Sequence, residues 1–169
     1  MRVIGLAGWS GAGKTTLVLK LLAEFARRGV SVSTIKHAHH AFEVDTPGKD
    51  SFEHRKAGAF EVLVASAARY ALMRDLRDEP EPALQDHLAR LAPVDLVVVE
   101  GYKREPVPKI EVFRAANGKD FLHPHDPTIV ALASDLCDPP PHLPHAALDD
   151  VNAVADLALR LAAPPPRSA

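Results

Sequence analysis

The chain of 169 residues has a single cysteine, Cys137, so no disulfide can form within it, which is compatible with a reducing compartment. It has no apolar run of membrane-spanning length, and its first residues enter an apolar strand pattern at once instead of a cleavable leader. The expected location is the cytoplasm. Acidic and basic residues nearly balance, 22 against 20, for a formal charge of −2. That leaves no global electrostatic case for binding nucleic acid or a membrane surface. No internal repeat is visible. What is present, 47% hydrophobic and 25% charged residues, is the composition of a soluble globular protein. The length suits one domain with a substantial core, expected over residues 1–163, with 164–169 as a flexible tail.

Gly8-Trp9-Ser10-Gly11-Ala12-Gly13-Lys14-Thr15 fits the phosphate-binding pattern G-x-x-x-x-G-K-[ST] at every fixed position. Its context agrees. Arg2 to Ala7 reads as a short buried strand, and Lys14 to Arg28 as a helix with Leu17, Leu21 and Phe25 stacked four apart, stopped by Gly29. A glycine loop between strand and helix lets successive backbone N–H groups point inward at the positive end of the helix. Lys14 adds a full charge for the β/γ-phosphates, and the Thr15 hydroxyl is placed for Mg²⁺. Gly8, Ser10, Gly11, Ala12, Gly13, Lys14, Thr15 and Thr16 are the expected nucleotide-contacting set. A glycine turn that merely starts a helix would explain neither Lys14 nor Thr15.

Further along, Val30 to Ile35 reads as a second strand, and strand–helix–strand units are almost always parallel with a right-handed crossover. A loop from Lys36 to Gly48 leaves the same carboxyl edge as the phosphate loop, where open α/β sheets bind ligands. Asp50-x-x-Glu53 resembles a capping box for a short helix ending near Gly58. Phe60 to Ala65 and Arg69 to Asp75 predict an antiparallel hairpin extending the sheet. Pro80 and Pro82 open a helix with Leu84, Leu88 and Leu91 on one face, ended by Pro93. Val94 to Val99, the most apolar strand, predicts a central parallel strand ending in Glu100-Gly101. Tyr102 to Pro108 is a charged loop and a candidate mobile segment. Lys109 to Arg114 is a strand with Ile110, Val112 and Phe113 inward, and Asn117-Gly118 is a turn. Thr128 to Ala133 is the last strand, and a final helix capped by Asp149 or Asp150 carries Val151, Val154, Leu157 and Leu161. The expected fold is a three-layer α/β fold of the P-loop NTPase type, its mostly parallel sheet extended by the hairpin.

Two carboxylates are candidate catalytic residues. Glu100 ends the apolar strand where P-loop proteins place a carboxylate near Mg²⁺, commonly Asp, so it joins Thr15 as a candidate metal ligand. Gly101 either offers its N–H to a γ-phosphate or simply starts a turn. Asp45 either approaches Mg²⁺ or orients a water as switch residues do, or serves the turn Asp45-Thr46-Pro47-Gly48. His37, His39 and His40 are close enough in sequence for a transition-metal site, but no cysteine assists them. His123, His125, His142 and His145 lie among prolines and define no site.

These motifs, in order, resemble a known family. Gly8 to Thr15, Thr34 to His40, Asp45 to Ser51, Leu96 to Lys103 and Pro108 to Val112 are similar to the MobB family, the molybdopterin-guanine dinucleotide biosynthesis adapter proteins. The similarity runs to about Asp135. The histidine loop and the Pro-Gly-Lys-Asp-Ser segment make it more specific than the phosphate loop does. The resemblance implies a homodimeric GTP-binding protein, with Mg²⁺ as cofactor and at most weak GTPase activity. It would assist the molybdenum cofactor guanylyltransferase that joins GMP to molybdopterin. In that setting the three histidines contact the pterin phosphate or the partner protein. Asp135, past the last strand, is the candidate for reading guanine, whereas Asn117-Gly118-Lys119-Asp120 scrambles the Asn-Lys-x-Asp order and reads as a turn. Two other classes share the loop. A small-molecule kinase needs an acceptor site and a basic lid, for which Lys103-Arg104 is a thin candidate. A nickel-enzyme maturation GTPase would use the histidines but lacks a cysteine pair.

Overall fold

The computed structural model describes residues 1–38, 42–102 and 104–166. The chain groups into two compact units, Met1–His37 with Ala83–Ala169, and Ala38–Pro82.

The first unit opens with β1 (Arg2–Ala7), buried at every residue after Arg2 as a strand covered on both faces must be. In α1 (Lys14–Arg27) the four-residue spacing of Leu17, Leu21 and Phe25 makes one buried stripe. The helix stops at Gly29, which takes the left-handed φ of 71° that ends helices cheaply. β2 (Val32–Lys36) follows, and the chain leaves for the second unit. It returns with α3 (Leu84–Arg90), β5 (Leu96–Glu100), β6 (Lys109–Phe113), β7 (Ile129–Ser134), β8 (His145–Ala147) and α4 (Val151–Leu161). The Asp150 side chain caps α4 by accepting from the Ala153 N–H at 3.0 Å.

These strands form one sheet in the order β2-β5-β1-β6-β7-β8, every pair parallel. The chain leaves β1 toward β2 on one side and later crosses to β6 on the other. β1 is therefore the switch point, and its carboxyl end opens the crevice where such sheets bind ligands. Alternation along the strands sorts side chains between two layers. Ile4, Leu6, Val98, Ile110 and Val112 join the buried faces of α1 and α4. Val3, Val97 and Val99 pack with Leu84 and Leu88 of α3 and with Val107. Val107 anchors the segment expected to be mobile, and Lys103 within that segment lies outside the described residues.

β6 departs from the apolar rule. Ile110 and Val112 are core residues as expected and Phe113 is half-buried, but Lys109 and Glu111 are also buried, each 1% exposed. Backbone from Glu105 and from the segment 122–128, which includes the 3-10 turn His123–His125, meets that face of β6, and the two charged side chains satisfy it. Lys109 Nζ donates to the Glu105 carbonyl at 2.8 Å and to the Thr128 hydroxyl, and pairs with Asp126 at 3.3 Å. Burial works against the Asp126 carboxylate, but Thr128 and Lys109 outweigh it and hold its pKa below the ordinary value. Glu111 accepts from the N–H groups of Leu122 and His123 at 2.6 and 3.0 Å, and its Oε2 lies 2.9 Å from His123 Nδ1. A buried carboxylate needs such partners.

The second unit holds α2 (Asp50–Lys56), β3 (Glu61–Ala65) and β4 (Tyr70–Arg74). The hairpin lies where expected, its register running from Glu61 opposite Arg74 to Ala65 opposite Tyr70. It forms a two-stranded sheet of its own and does not extend the main one. Alternation cannot tell which strand a ribbon pairs with, so the sequence could not place it. Asp50 is likewise not the cap of α2. That position is Lys49, which makes no side-chain bond, and Asp50 lies in the first turn, where its charge favours the helix dipole.

Phe25 is fully buried among the side chains between α1 and the sheet. Phe25→Ala is expected to cost about 3–5 kcal/mol of stability, because the cavity cannot fully collapse against a parallel sheet. Urea unfolding followed by circular dichroism checks this. A midpoint shift worth less than about 1 kcal/mol would mean that α1 is not held as described.

Candidate phosphate-binding site

The loop that leaves β1 turns sharply because Gly8 takes a φ of 149° while lying against β6. A Cβ there would stand 2.5 Å from the Val112 carbonyl oxygen, closer than any side chain tolerates. The loop then passes Trp9, Ser10, Gly11 and Ala12 and enters α1 at Gly13, a left-handed N-cap with no side chain of its own. The opening N–H groups of α1 thus face outward, the ordinary setting for an anion at a helix start. Lys14 bends back over the loop, and its Nζ donates to the carbonyls of Gly8 and Trp9 at 2.9 and 3.0 Å. Thr15 and Thr16 are exposed on the first turn, and Ala12 is buried beneath it.

Glu100 comes from the adjacent strand. β5 pairs with β1 so that Glu100 is opposite Leu6, and this register brings its carboxylate to the start of α1. The Thr15 hydroxyl donates to Glu100 Oε1 at 3.0 Å, while Lys36 Nζ lies 3.8 Å from Oε2. Two hard oxygen donors in contact beside a helix start with exposed N–H groups would suit Mg²⁺, which takes one or two protein oxygens and completes its shell with phosphate and water. Gly101 follows with a φ of 103°, and a Cβ on it would lie 2.6 Å from the Cβ of His37. His37 is tied to the same corner. Its N–H donates to the Glu100 carbonyl at 2.8 Å, and its ring lies 4.7 Å from that of Tyr102. His39 and His40 lie outside the described residues.

Two further expected residues have partners of their own. The Asp45 carboxylate lies within the second unit, where it accepts from the Thr46 N–H at 2.9 Å and the Ser51 hydroxyl at 2.8 Å, with Arg55 Nε at 3.6 Å. Those bonds order the turn ahead of α2. Asp135 sits past β7, on the carboxyl edge. Its Oδ1 accepts from the Ala115 N–H at 2.8 Å, and its Oδ2 is 3.9 Å from Arg114.

Sequence reasoning missed the segment that follows β6. Ala115–Asn117 forms one 3-10 turn closed by Gly118, as the Asn-Gly pair indicated. The turn touches the phosphate loop: Asn117 Nδ2 donates to the Ser10 carbonyl at 2.9 Å, and Trp9 Nε1 donates to the Asp120 carbonyl at 2.8 Å. A parallel strand next to β1 delivers its following loop to the same edge, which is the signal that was available.

Known proteins resemble this chain in sequence and fold. Residues 3–135 match the family described as molybdopterin guanine dinucleotide synthesis protein B, MobB. The chain is 44% identical over 161 residues to the molybdopterin-guanine dinucleotide biosynthesis adapter protein of Escherichia coli K12, covering 91% of this chain and 89% of the relative. It is 41% identical over 136 residues to the protein of the same name from Haemophilus influenzae, covering 79% and 74%. Among solved structures, a MobB homologue from Bacillus stearothermophilus superposes with a TM-score of 0.70 at 29% identity, covering 95% of this chain and 97% of the other. A molybdopterin-guanine biosynthesis protein B superposes at 0.74 and 25% identity, covering 94% and 97%. A phosphate loop at the switch point of a parallel sheet, matched in sequence and fold across most of its length, places this chain in the MobB family.

Proposed function

We propose that this chain is a GTP-binding adapter that assists a guanylyltransferase in attaching GMP to molybdopterin, with slow GTP hydrolysis of its own. The observation that carries the nucleotide reading is the 3.0 Å contact between Thr15 Oγ1 and Glu100 Oε1 beside the Lys14 loop. The adapter reading rests on the names of relatives that match across most of this chain. When bound, Mg²⁺ supplies charge neutralisation and orientation of phosphate oxygens. The chain's own groups do the rest. Lys14 would exchange two loop carbonyls for phosphate oxygens, the N–H groups of Gly11 and of Gly13 to Thr15 would line the anion, and Thr15 and Glu100 would hold the metal. The Gly101 N–H and His37 stand at the corner beyond Glu100, where a γ-phosphate, pterin phosphate or docked protein would be felt. Asp135 Oδ2 retains lone pairs for a guanine edge, while Oδ1 holds the Ala115 turn. Glu100 is the better supported of the two candidate catalytic carboxylates, since the partners of Asp45 account for it structurally.

We further propose a homodimer formed through the hairpin. Leu63 and Leu72 face each other across β3 and β4 and are 61% and 56% exposed, and Tyr70 on the same side is 76% exposed. An isolated two-stranded ribbon is marginal in water, and its open edges and apolar side chains invite a second copy.

Lys14→Ala is expected to keep the fold and lower affinity for GTP with Mg²⁺ at least tenfold, since charge-assisted phosphate contacts contribute about 1.5–3 kcal/mol each. Calorimetry that finds unchanged binding in a folded variant would refute the nucleotide site. Glu100→Gln should weaken binding more with Mg²⁺ than with EDTA, and equal losses would remove Glu100 from the metal site. For the dimer, Leu63→Lys combined with Leu72→Glu keeps a favourable cross-strand pair within the ribbon while making its face charged. Light scattering should then report a monomer, and an unchanged dimer mass would put the interface elsewhere.

A further inference from the structure

We infer that Asn117 is a positioning residue for the phosphate loop, and that the turn carrying it sets the affinity of the loop for phosphate whatever base is attached. The inference rests on the phosphate-site reading above. Asn117 does not occupy the place of a base-reading side chain with a free amide. Its Nδ2 donates to the Ser10 carbonyl at 2.9 Å, and its Oδ1 stands 2.9 Å from where a Cβ on Gly11 would lie. The amide therefore lies against the loop at Ser10 and Gly11. Holding the Ser10 carbonyl outward leaves the N–H groups of Gly11 and of Gly13 onward to face the anion, while that of Ala12 closes the loop by donating to the Trp9 carbonyl at 3.2 Å. From the loop's side, Trp9 Nε1 returns a bond to the Asp120 carbonyl at 2.8 Å, so the two segments are tied in both directions.

The turn is itself anchored at both ends to buried or strand-end groups. Ala115 N–H donates to Asp135 Oδ1 at 2.8 Å. Beyond Asp120, the N–H groups of Leu122 and His123 donate to the buried Glu111 carboxylate at 2.6 and 3.0 Å. Phe121 stacks on Phe113 with ring centroids 4.2 Å apart. Residues 115–123 are thus a strap fastened to β6 and to Asp135 just past β7, with Asn117 and the Asp120 carbonyl as its contacts on the loop. Releasing that contact lets the loop sample conformations whose N–H groups do not converge. Apparent affinity then falls by the fraction of competent loop.

The test compares wild type with Asn117→Ala, titrated with GTP and with inorganic tripolyphosphate, both with Mg²⁺. The expected result is the same loss, roughly three- to tenfold, for both ligands. The chain's single tryptophan lies in the loop, so the variant should also show greater acrylamide quenching of Trp9 in the free protein. Trp9→Phe removes the reciprocal bond without touching the turn's fold and should reproduce the loss for both ligands. A drop in GTP affinity with tripolyphosphate affinity unchanged would make Asn117 a base reader and overturn the inference. So would unchanged affinity for both ligands in both variants. Wild-type protein that binds neither ligand would overturn the phosphate-site reading itself.

Discussion

Gly8 is the tightest constraint in the molecule. Its Cα lies against the Val112 carbonyl, and no L side chain fits between the end of β1 and β6 at that point. The geometry of the candidate site follows from that close approach. It brings the phosphate loop over the β6 side of the sheet, so the loop is supported by the segment after β6 as well as by its own helix. It also leaves the opposite side of β1 open to β5, whose last residue supplies Glu100. A loop that left β1 with a side chain at position 8 would lift from β6 and lose contact with Asn117, while Lys14 would no longer reach the carbonyls of Gly8 and Trp9.

The two charges buried beneath β6 belong to the same construction. An apolar pair at Lys109 and Glu111 would suit a helix packed on that face, but loop backbone covers it, and loop backbone brings unpaired N–H and C=O groups. Burying a charge is costly unless its hydrogen bonds are nearly all made. Here Lys109 reaches a carbonyl, a hydroxyl and a carboxylate, and Glu111 receives two backbone N–H groups and meets an imidazole. Replacing either by leucine would strand those backbone groups. The sheet thus trades some packing for a covering segment that can also touch the phosphate loop.

The elements legible in the sequence are those whose physics is local. Gly8 to Thr15 announced itself because phosphate binding fixes residue types at fixed spacing. The place of Glu100 beside Thr15 was readable because the apolar strand that it ends pairs with the strand leading into the glycine loop. The hairpin followed from two strands too close together for a helix between them, but its separation from the main sheet did not, since pairing partners are chosen at long range. Lys109 and Glu111 were missed for the reason that makes alternation useful: charged residues at every second position read as a solvent face, and nothing nearby in sequence says that a loop will cover them. β8, three residues between a proline run and a helix cap, is too short to show a period. Asn117 looked like turn chemistry, which it is, and its second role depends on β6 lying beside β1.

The candidate site as it stands is satisfied from within, and this shapes what a ligand must do. Lys14 donates to two loop carbonyls and Thr15 to Glu100, so each group that would meet phosphate or metal already has a partner. Binding therefore exchanges hydrogen bonds and does not add them, and the gain per contact is the difference between a neutral carbonyl and a charged phosphate oxygen. The exchange is also coupled. Metal entering between Thr15 and Glu100 would displace the bond that links α1 to β5, and the Glu100 carbonyl is held by the His37 N–H. A shift of Glu100 is thereby felt at the corner formed by Gly101 and His37, where the Gly101 Cα has no room to move toward the His37 side chain. Occupancy of the candidate metal position and the shape of that corner would thus be coupled through Glu100.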